Sequence, residues 1–180
     1  MRVFLVSHCA AAPVTGGPPS EAGDLERCLS DDGRLQAAAI CRQLGGAPLD
    51  AIYAGPSLPA RATAAVIAKE LAIEASSSED AAAHAAAAAA VLDAAALAAI
   101  QEQAWAEIEA LKEQHPPEAR LVLVSDAAAI RAIVCRALSL DLADAGRFEI
   151  APASVSLLEF RGQRTLIAAL NHVCHLDRLA

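Results

Sequence analysis

Positive charge is in short supply. Fourteen Lys and Arg stand against 22 Asp and Glu, for a formal net charge of −8 at pH 7. Phosphate contacts need clustered Lys and Arg, so a nucleic-acid binder working through a broad basic face is excluded. An anionic membrane surface is disfavoured for the same reason. Aromatic residues are also few, at 3% of the chain. Long apolar runs are missing. The longest candidate, Ala81 to Ile100, is mostly alanine and carries His84 and Asp93, too weak to span a membrane. The apolar run in MRVFLV is too short for a signal peptide, which points to the cytoplasm. The five cysteines, Cys9, Cys28, Cys41, Cys135 and Cys174, are odd in number and widely spaced, with no CxxC pair. They read as reduced thiols rather than disulfides or a metal site.

What the sequence does have is enough apolar material to fold. Hydrophobic residues are 56% of 180, charged residues are 20%, and about a quarter of the chain is alanine. Disorder of the whole chain is excluded, and the length suits one domain over 1–180.

The order of elements points to an α/β fold. Arg2 to Val6 (RVFLV) and Leu121 to Val124 (LVLV) are short continuous apolar runs, the signature of strands buried on both faces. Leu49 to Ala54 suggests another strand, broken by Gly55-Pro56. Helices are expected from Asp31 to about Leu44, after the cap signal at Ser30, and from Leu58 to Leu71. A polar connection is expected over Ala72 to Asp80. A long alanine-rich helical stretch follows from Ala81 to Gln114, ended by Pro116-Pro117, and another helix runs from Ala127 to Leu138. Ala153 to Phe160 and Thr165 to Leu170, separated by Gly162, form an antiparallel hairpin. The expectation is a three-layer α/β/α domain with a mostly parallel central sheet and a C-terminal antiparallel hairpin.

In such sheets the ligand site lies beyond the carboxyl ends of the strands. That rule selects Ser7-His8-Cys9, Gly55 to Arg61 and Ser125-Asp126-Ala127. These segments are far apart in sequence, yet they converge in the fold.

Four ordered blocks then resemble a known family. LVSHC at 5–9 stands for a family L-V-R-H-G, and LSDDGRLQA at 29–37 for L-T-x-x-G-x-x-Q-A. IYAGPSLPARATAAVIA at 52–68 stands for Y-S-S-P-L-x-R-A-x-x-T-A. LVLVSDAAAIRAIVCRALSL at 121–140 stands for V-x-x-H-G-G-x-I-R. The chain resembles the histidine phosphatase superfamily, its phosphoglycerate-mutase-like branch, over nearly its whole length. The resemblance implies phosphoryl transfer through a phosphohistidine: one histidine attacks phosphorus, two arginines and a second histidine hold the phosphoryl oxygens, and a carboxylic acid donates a proton. It implies no cofactor and no metal.

The chain departs from that pattern where the chemistry resides. His8 matches the nucleophile. The first arginine position is Ser7, and the glycine after the histidine is Cys9. The second arginine position is Pro59. The second histidine is Asp126, followed by Ala127 and Ala128 in place of two glycines. No family acid aligns between Ser76 and Asp80, where Glu79 and Asp80 are the nearest candidates. Guanidinium forks are the best bidentate partners of phosphate, and a carboxylate repels it. Like charges about 4 Å apart cost roughly 4 kcal/mol at an effective dielectric near 20, and losing one transition-state donor typically costs about 10²- to 10³-fold in rate.

Several bland readings compete with sharper ones. His8 is either a residual nucleophile or a vestige, and it can pair with Asp126 if both face one cleft. Arg61 lies two residues past the lost arginine, about 200° around the helix, and reads as a surface residue. Arg34 and Arg131 are the other cations that could rebuild a phosphate site. Cys9 and His8 are adjacent, so they point to opposite faces and do not make a thiol–imidazole pair. His172, Cys174 and His175 read as closing structure, and His84 and His115 as surface residues. Gly16 to Gly23 lacks the Lys-Ser/Thr end of a P-loop and reads as a flap over the cleft. The alanine tract can form a helix or an interface.

Two functions follow from this. One is a pseudoenzyme that binds a protein partner or a small molecule, in a monomer or homo-oligomer. The alternative is a weak or repurposed phosphatase acting on a small phosphomonoester through His8.

Overall fold

The computed structural model describes residues 1–12, 28–46, 48–77 and 94–177. The expected flap at 16–23, Glu79, Asp80 and the alanine tract up to Asp93, with His84, lie outside the described residues.

The described elements are strand β1 (Arg2–Ser7), helix α1 (Asp31–Leu44), strand β2 (Ala51–Ala54), helix α2 (Leu58–Leu71), strand β3 (Ala75–Ser77), helix α3 (Ala94–Gln114), strand β4 (Arg120–Ser125), helix α4 (Ala127–Ala137), a 3₁₀ turn (Leu142–Arg147), strands β5 (Val155–Arg161) and β6 (Arg164–His172), and a closing 3₁₀ turn (Cys174–Leu176). The sheet order is β3-β2-β4-β1-β5-β6. β1 pairs parallel with β4, and β2 pairs parallel with both β4 and β3. β5 runs antiparallel to β1 and to β6.

The period-two alternation of each strand divides the core. Val6, Ile52, Ala54, Val122 and Val124 face one side, where Ile40 and Leu44 of α1 and Ala60, Ala64 and Ile67 of α2 cover them. Val3, Leu5, Leu121, Leu123 and Leu158 face the other, under Ile108 and Leu111 of α3 and Ile130 and Ile133 of α4. Both faces of β1 and β4 are therefore buried, which explains why these strands are apolar without interruption. Burial of such side chains contributes roughly 1.5–3 kcal/mol each. The helix starts follow their caps: Ser30 Oγ accepts from Gly33 N at 3.0 Å, and Ser57 Oγ accepts from Ala60 N at 3.3 Å.

Some local expectations need correction, and one element is not anticipated. Ala75–Ser77, expected as part of a connection, is a strand in register with Ile52, Tyr53 and Ala54. A three-residue polar edge strand has no apolar alternation to announce it; the free edge of β2 creates it. β2 begins at Ala51 rather than Leu49, β5 starts at Val155 rather than Ala153 and ends at Arg161, and β6 runs further than expected, over Arg164–His172. The 3₁₀ turn at Leu142–Arg147 is started by Asp141, whose Oδ1 accepts from Ala143 N at 2.9 Å. His115 is not a plain surface residue, because its Nε2 lies 2.7 Å from Tyr53 Oη and the rings meet edge to face.

Candidate functional site

The parallel strands β1, β2 and β4 end along one edge, with Ser7 opposite Ser125 and Ala54 opposite Val124. Whatever follows these strands is delivered to one cleft. Helices α2 and α4 both start there, capped by Ser57 and Asp126. Their positive ends favour an anion at that place.

An anion belonging to the chain is already there. Asp126 Oδ1 accepts from Ser57 Oγ at 2.9 Å and lies 3.4 Å from His8 Nε2. Asp126 makes no side-chain cap bond to its own helix; its carboxylate is turned across the cleft to the start of α2. His8 Nδ1 lies 3.0 Å from the Cys9 carbonyl. A carbonyl only accepts, so this nitrogen carries the hydrogen, and Nε2 is the nitrogen that faces Asp126. Both side chains keep partial exposure, 30% for His8 and 37% for Asp126. Near-attack separations are about 3–3.5 Å. The carboxylate oxygen thus stands about where a phosphorus atom would have to sit to be attacked by His8.

The segment carrying His8 is held from both sides. The His8 amide donates to Ser125 O at 3.1 Å and the Ser7 amide to Ser154 O at 3.0 Å. Ala10 is gripped by α1: its carbonyl accepts from Ser30 N at 3.0 Å and from Ser30 Oγ at 3.2 Å, and its amide donates to Gln36 Oε1 at 2.9 Å. Gly33 completes the grip, since a Cβ there would lie 2.0 Å from the Ala10 carbonyl oxygen. Only a glycine lets the helix approach this closely.

Other residues singled out by the sequence lie around this cluster in different roles. Ser7 is buried beneath it. Cys9 is fully buried, its amide donating to Thr63 Oγ1 at 3.0 Å, and burial pushes its thiol up to about 12. Cys9 and His8 therefore face different surroundings. Pro59 stands in the first turn of α2, and Ala127 in the first turn of α4. Arg61, half-buried on α2, forms no side-chain hydrogen bond or ion pair with His8 or Asp126 among the described residues. Arg34 binds the Leu29 carbonyl at 2.9 Å, and Arg131 binds the Phe148 carbonyl at 2.8 Å. Among the described residues no group of three or more His, Cys, Asp or Glu converges as metal ligands, and no helix is long and apolar enough to cross a membrane.

Ser57 lies within the selected Gly55 to Arg61 segment, but its role in the site is not singled out by the sequence. Its place before Leu58-Pro59 marks a helix cap, but nothing in the sequence shows that its hydroxyl also donates to Asp126. The cluster offers an imidazole, a hydroxyl and a carboxylate. It can hold and exchange a proton or accept hydrogen bonds. It provides no guanidinium fork for the equatorial oxygens of a transferring phosphoryl group.

Residues 3–82 and 72–173 match the family model described as histidine phosphatase superfamily (branch 1). No curated protein matches the sequence. Among solved structures, a histidine-to-alanine mutant of phosphoserine phosphatase from Entamoeba histolytica, in complex with phosphoserine, is 17% identical. That match has a TM-score of 0.70 over 97% of this chain and 98% of that one. A mycobacterial glucosyl-3-phosphoglycerate phosphatase is 18% identical, with a TM-score of 0.73 over 96% of this chain and 99% of that one. The YhfR protein of Bacillus stearothermophilus is 16% identical, with a TM-score of 0.73 over 97% and 98%. These likenesses are of fold.

Proposed function

The chain belongs to the histidine phosphatase superfamily (branch 1), and from that premise we propose that it is a pseudoenzyme, a cytoplasmic binding or regulatory protein built on a phosphatase fold. The observation that carries this reading is the position of Asp126. Its carboxylate lies between the α2 and α4 N-termini, against His8 and hydrogen-bonded to Ser57. The start of α2 and Nε2 of His8, which would meet a bound phosphoryl group, face an internal carboxylate instead. At the two family arginine positions stand Ser7 and Pro59, and Arg34 and Arg131 are tied to backbone carbonyls elsewhere. Phosphoryl transfer depends on positioning and on positive charge around the equatorial oxygens, whereas among the described residues His8 meets a carboxylate and that carboxylate meets a hydroxyl. The role left to it is binding a protein partner or a small molecule, alone or as a homo-oligomer.

The competing reading, a weak phosphatase acting through His8, draws on the partial exposure of His8 at the cleft. One assay separates the two. Hydrolysis of an aryl phosphate and a panel of phosphomonoesters is compared between wild type and His8→Ala, and only the difference counts. Equal silence is the expected result; turnover that disappears with His8→Ala overturns the proposal. Asp126→Asn gives the converse test. Removing the internal anion should raise the affinity for inorganic phosphate at least about tenfold, given a repulsion of roughly 4 kcal/mol reduced by exposure. An unchanged affinity would show that Asp126 does not stand in for phosphate.

A further inference from the structure

The closing turn after β6 reaches back to the base of the His8 cleft. His175 Nε2 lies 2.9 Å from the Ala153 carbonyl, so this nitrogen is the donor and carries the hydrogen. Nδ1 of the same ring is shut off from solvent and has no hydrogen-bond partner among the described residues. The residue it holds, Ala153, is fully buried and lies in the left-handed region at φ 59°. Its amide donates to the His8 carbonyl at 3.2 Å, and the next carbonyl, Ser154, accepts from the Ser7 amide at 3.0 Å. One hydrogen bond from the C-terminal turn thus anchors the two residues that clamp the end of β1. A second tie runs beside it, from Ala151 N to Asn171 Oδ1 at 2.8 Å.

We propose that His175 is a pH-sensitive latch: as the neutral Nε2–H tautomer it fastens the C-terminal turn to Ala153 and sets His8, and binding a proton at Nδ1 releases the turn. This goes beyond the pseudoenzyme reading and holds whether or not the cleft catalyses a reaction. The chemistry is that of a buried polar group. A proton at Nδ1 places an N–H and a full charge where solvent does not reach and no acceptor stands among the described residues. The surroundings bear on that proton from each side. Burial opposes it first, holding the ring below the ordinary histidine range of 6.5; the hydrogen bond to Ala153 favours it, His172 opposes it and Asp177 favours it. The His172 ring is stacked on His175 at 6.1 Å and itself meets Gln43 of α1 at 3.1 Å. The last turns of α1, which packs on the closing turn, carry Cys41 and Arg42. The segment Ile150 to Ser154 carries no ionisable side chain. Since the folded ring resists a proton that the released ring accepts, the latch is closed above pH 6.5 and weakens as pH falls below it. Linkage limits the loss to about tenfold in the closed-to-open ratio per pH unit.

Amide hydrogen exchange of Ala153 and Ser7, expressed as protection relative to the unstructured chain, reads the latch at pH 7.5 and at pH 5. Wild type should lose part of this protection at pH 5, by no more than about tenfold for each pH unit below 6.5. His175→Gln, whose amide N–H can reach the Ala153 carbonyl without titrating, should keep its protection at both values. His172→Gln should still show the acid loss. Protection in wild type that does not change with pH overturns the proposal. So does an equal acid loss in His175→Gln, or disappearance of the loss in His172→Gln, which would assign the titration to another group.

Discussion

Glu107 is a partly buried carboxyl group with one oxygen closed to solvent. It shares a side of α3 with Ala104 and Leu111, which are buried against the sheet, as residues three and four apart on a helix do. Its Oε1 is closed to solvent and has no hydrogen-bond partner among the described residues. Burial pushes the group from 4.5 up to about 7. The unfolded chain releases this proton near 4.5 and the folded protein keeps it to about 7. Between those values the folded state binds more protons, so its stability falls as pH rises. At about 1.4 kcal/mol per pH unit, the loss approaches roughly 3 kcal/mol by pH 8. Glu107→Gln keeps the shape and never ionises. Urea unfolding at pH 5 should find variant and wild type within about 1 kcal/mol, since a neutral carboxyl and an amide leave similar polar atoms unpaired. At pH 8 the variant should be more stable by up to roughly 3 kcal/mol, or about 6–10 °C in melting temperature for a chain of this size. Parallel pH dependences for the two proteins would refute the reasoning, because they would mean that the carboxylate finds water or a partner when it ionises.

Two further substitutions test the framework around the cleft. Gly33→Ala places a Cβ 2.0 Å from the Ala10 carbonyl oxygen, a backbone clash that no rotamer relieves; a loss of about 1–3 kcal/mol is expected, and an unchanged melting temperature would contradict the close approach of α1. Glu159, buried on β5, binds Arg161 at 2.9 Å and Arg2 at 3.0 Å, and these guanidinium groups, Arg161 first, hold its carboxyl below the usual range. Its contribution is therefore present above pH 4.5 and is lost as pH falls further. Glu159→Gln should lower the urea midpoint at pH 7, with the gap to wild type closing on acidification; a gap independent of pH would mean that packing, not charge, is what the variant removes.

The elements that carry their own signal were readable without coordinates. β1 and β4 are announced by unbroken apolar runs because both of their faces are covered. α1 and α2 begin at serines whose side chains bond the third amide onward. The convergence of His8, Asp126 and the start of α2 follows from the rule that parallel strands deliver their following residues to one edge. β3 was not readable, since Ala75–Ser77 is a strand only because β2 offers it an edge. Nor was the second role of Ser57, or the reach of His175 to Ala153, 22 residues away in the chain.

By itself, then, the sequence determined the layered α/β architecture, the family blocks and the presence of a serine and a proline, not arginines, at residues 7 and 59, because alternation, caps and residue identity are local properties. Only the tertiary structure decided what Asp126 does. A carboxylate at the start of a helix could cap that helix or face solvent. Here it spans the cleft to Ser57 and His8, because two helix N-termini and an imidazole meet at one point in space, and their combined field exists only once the strands have been assembled side by side.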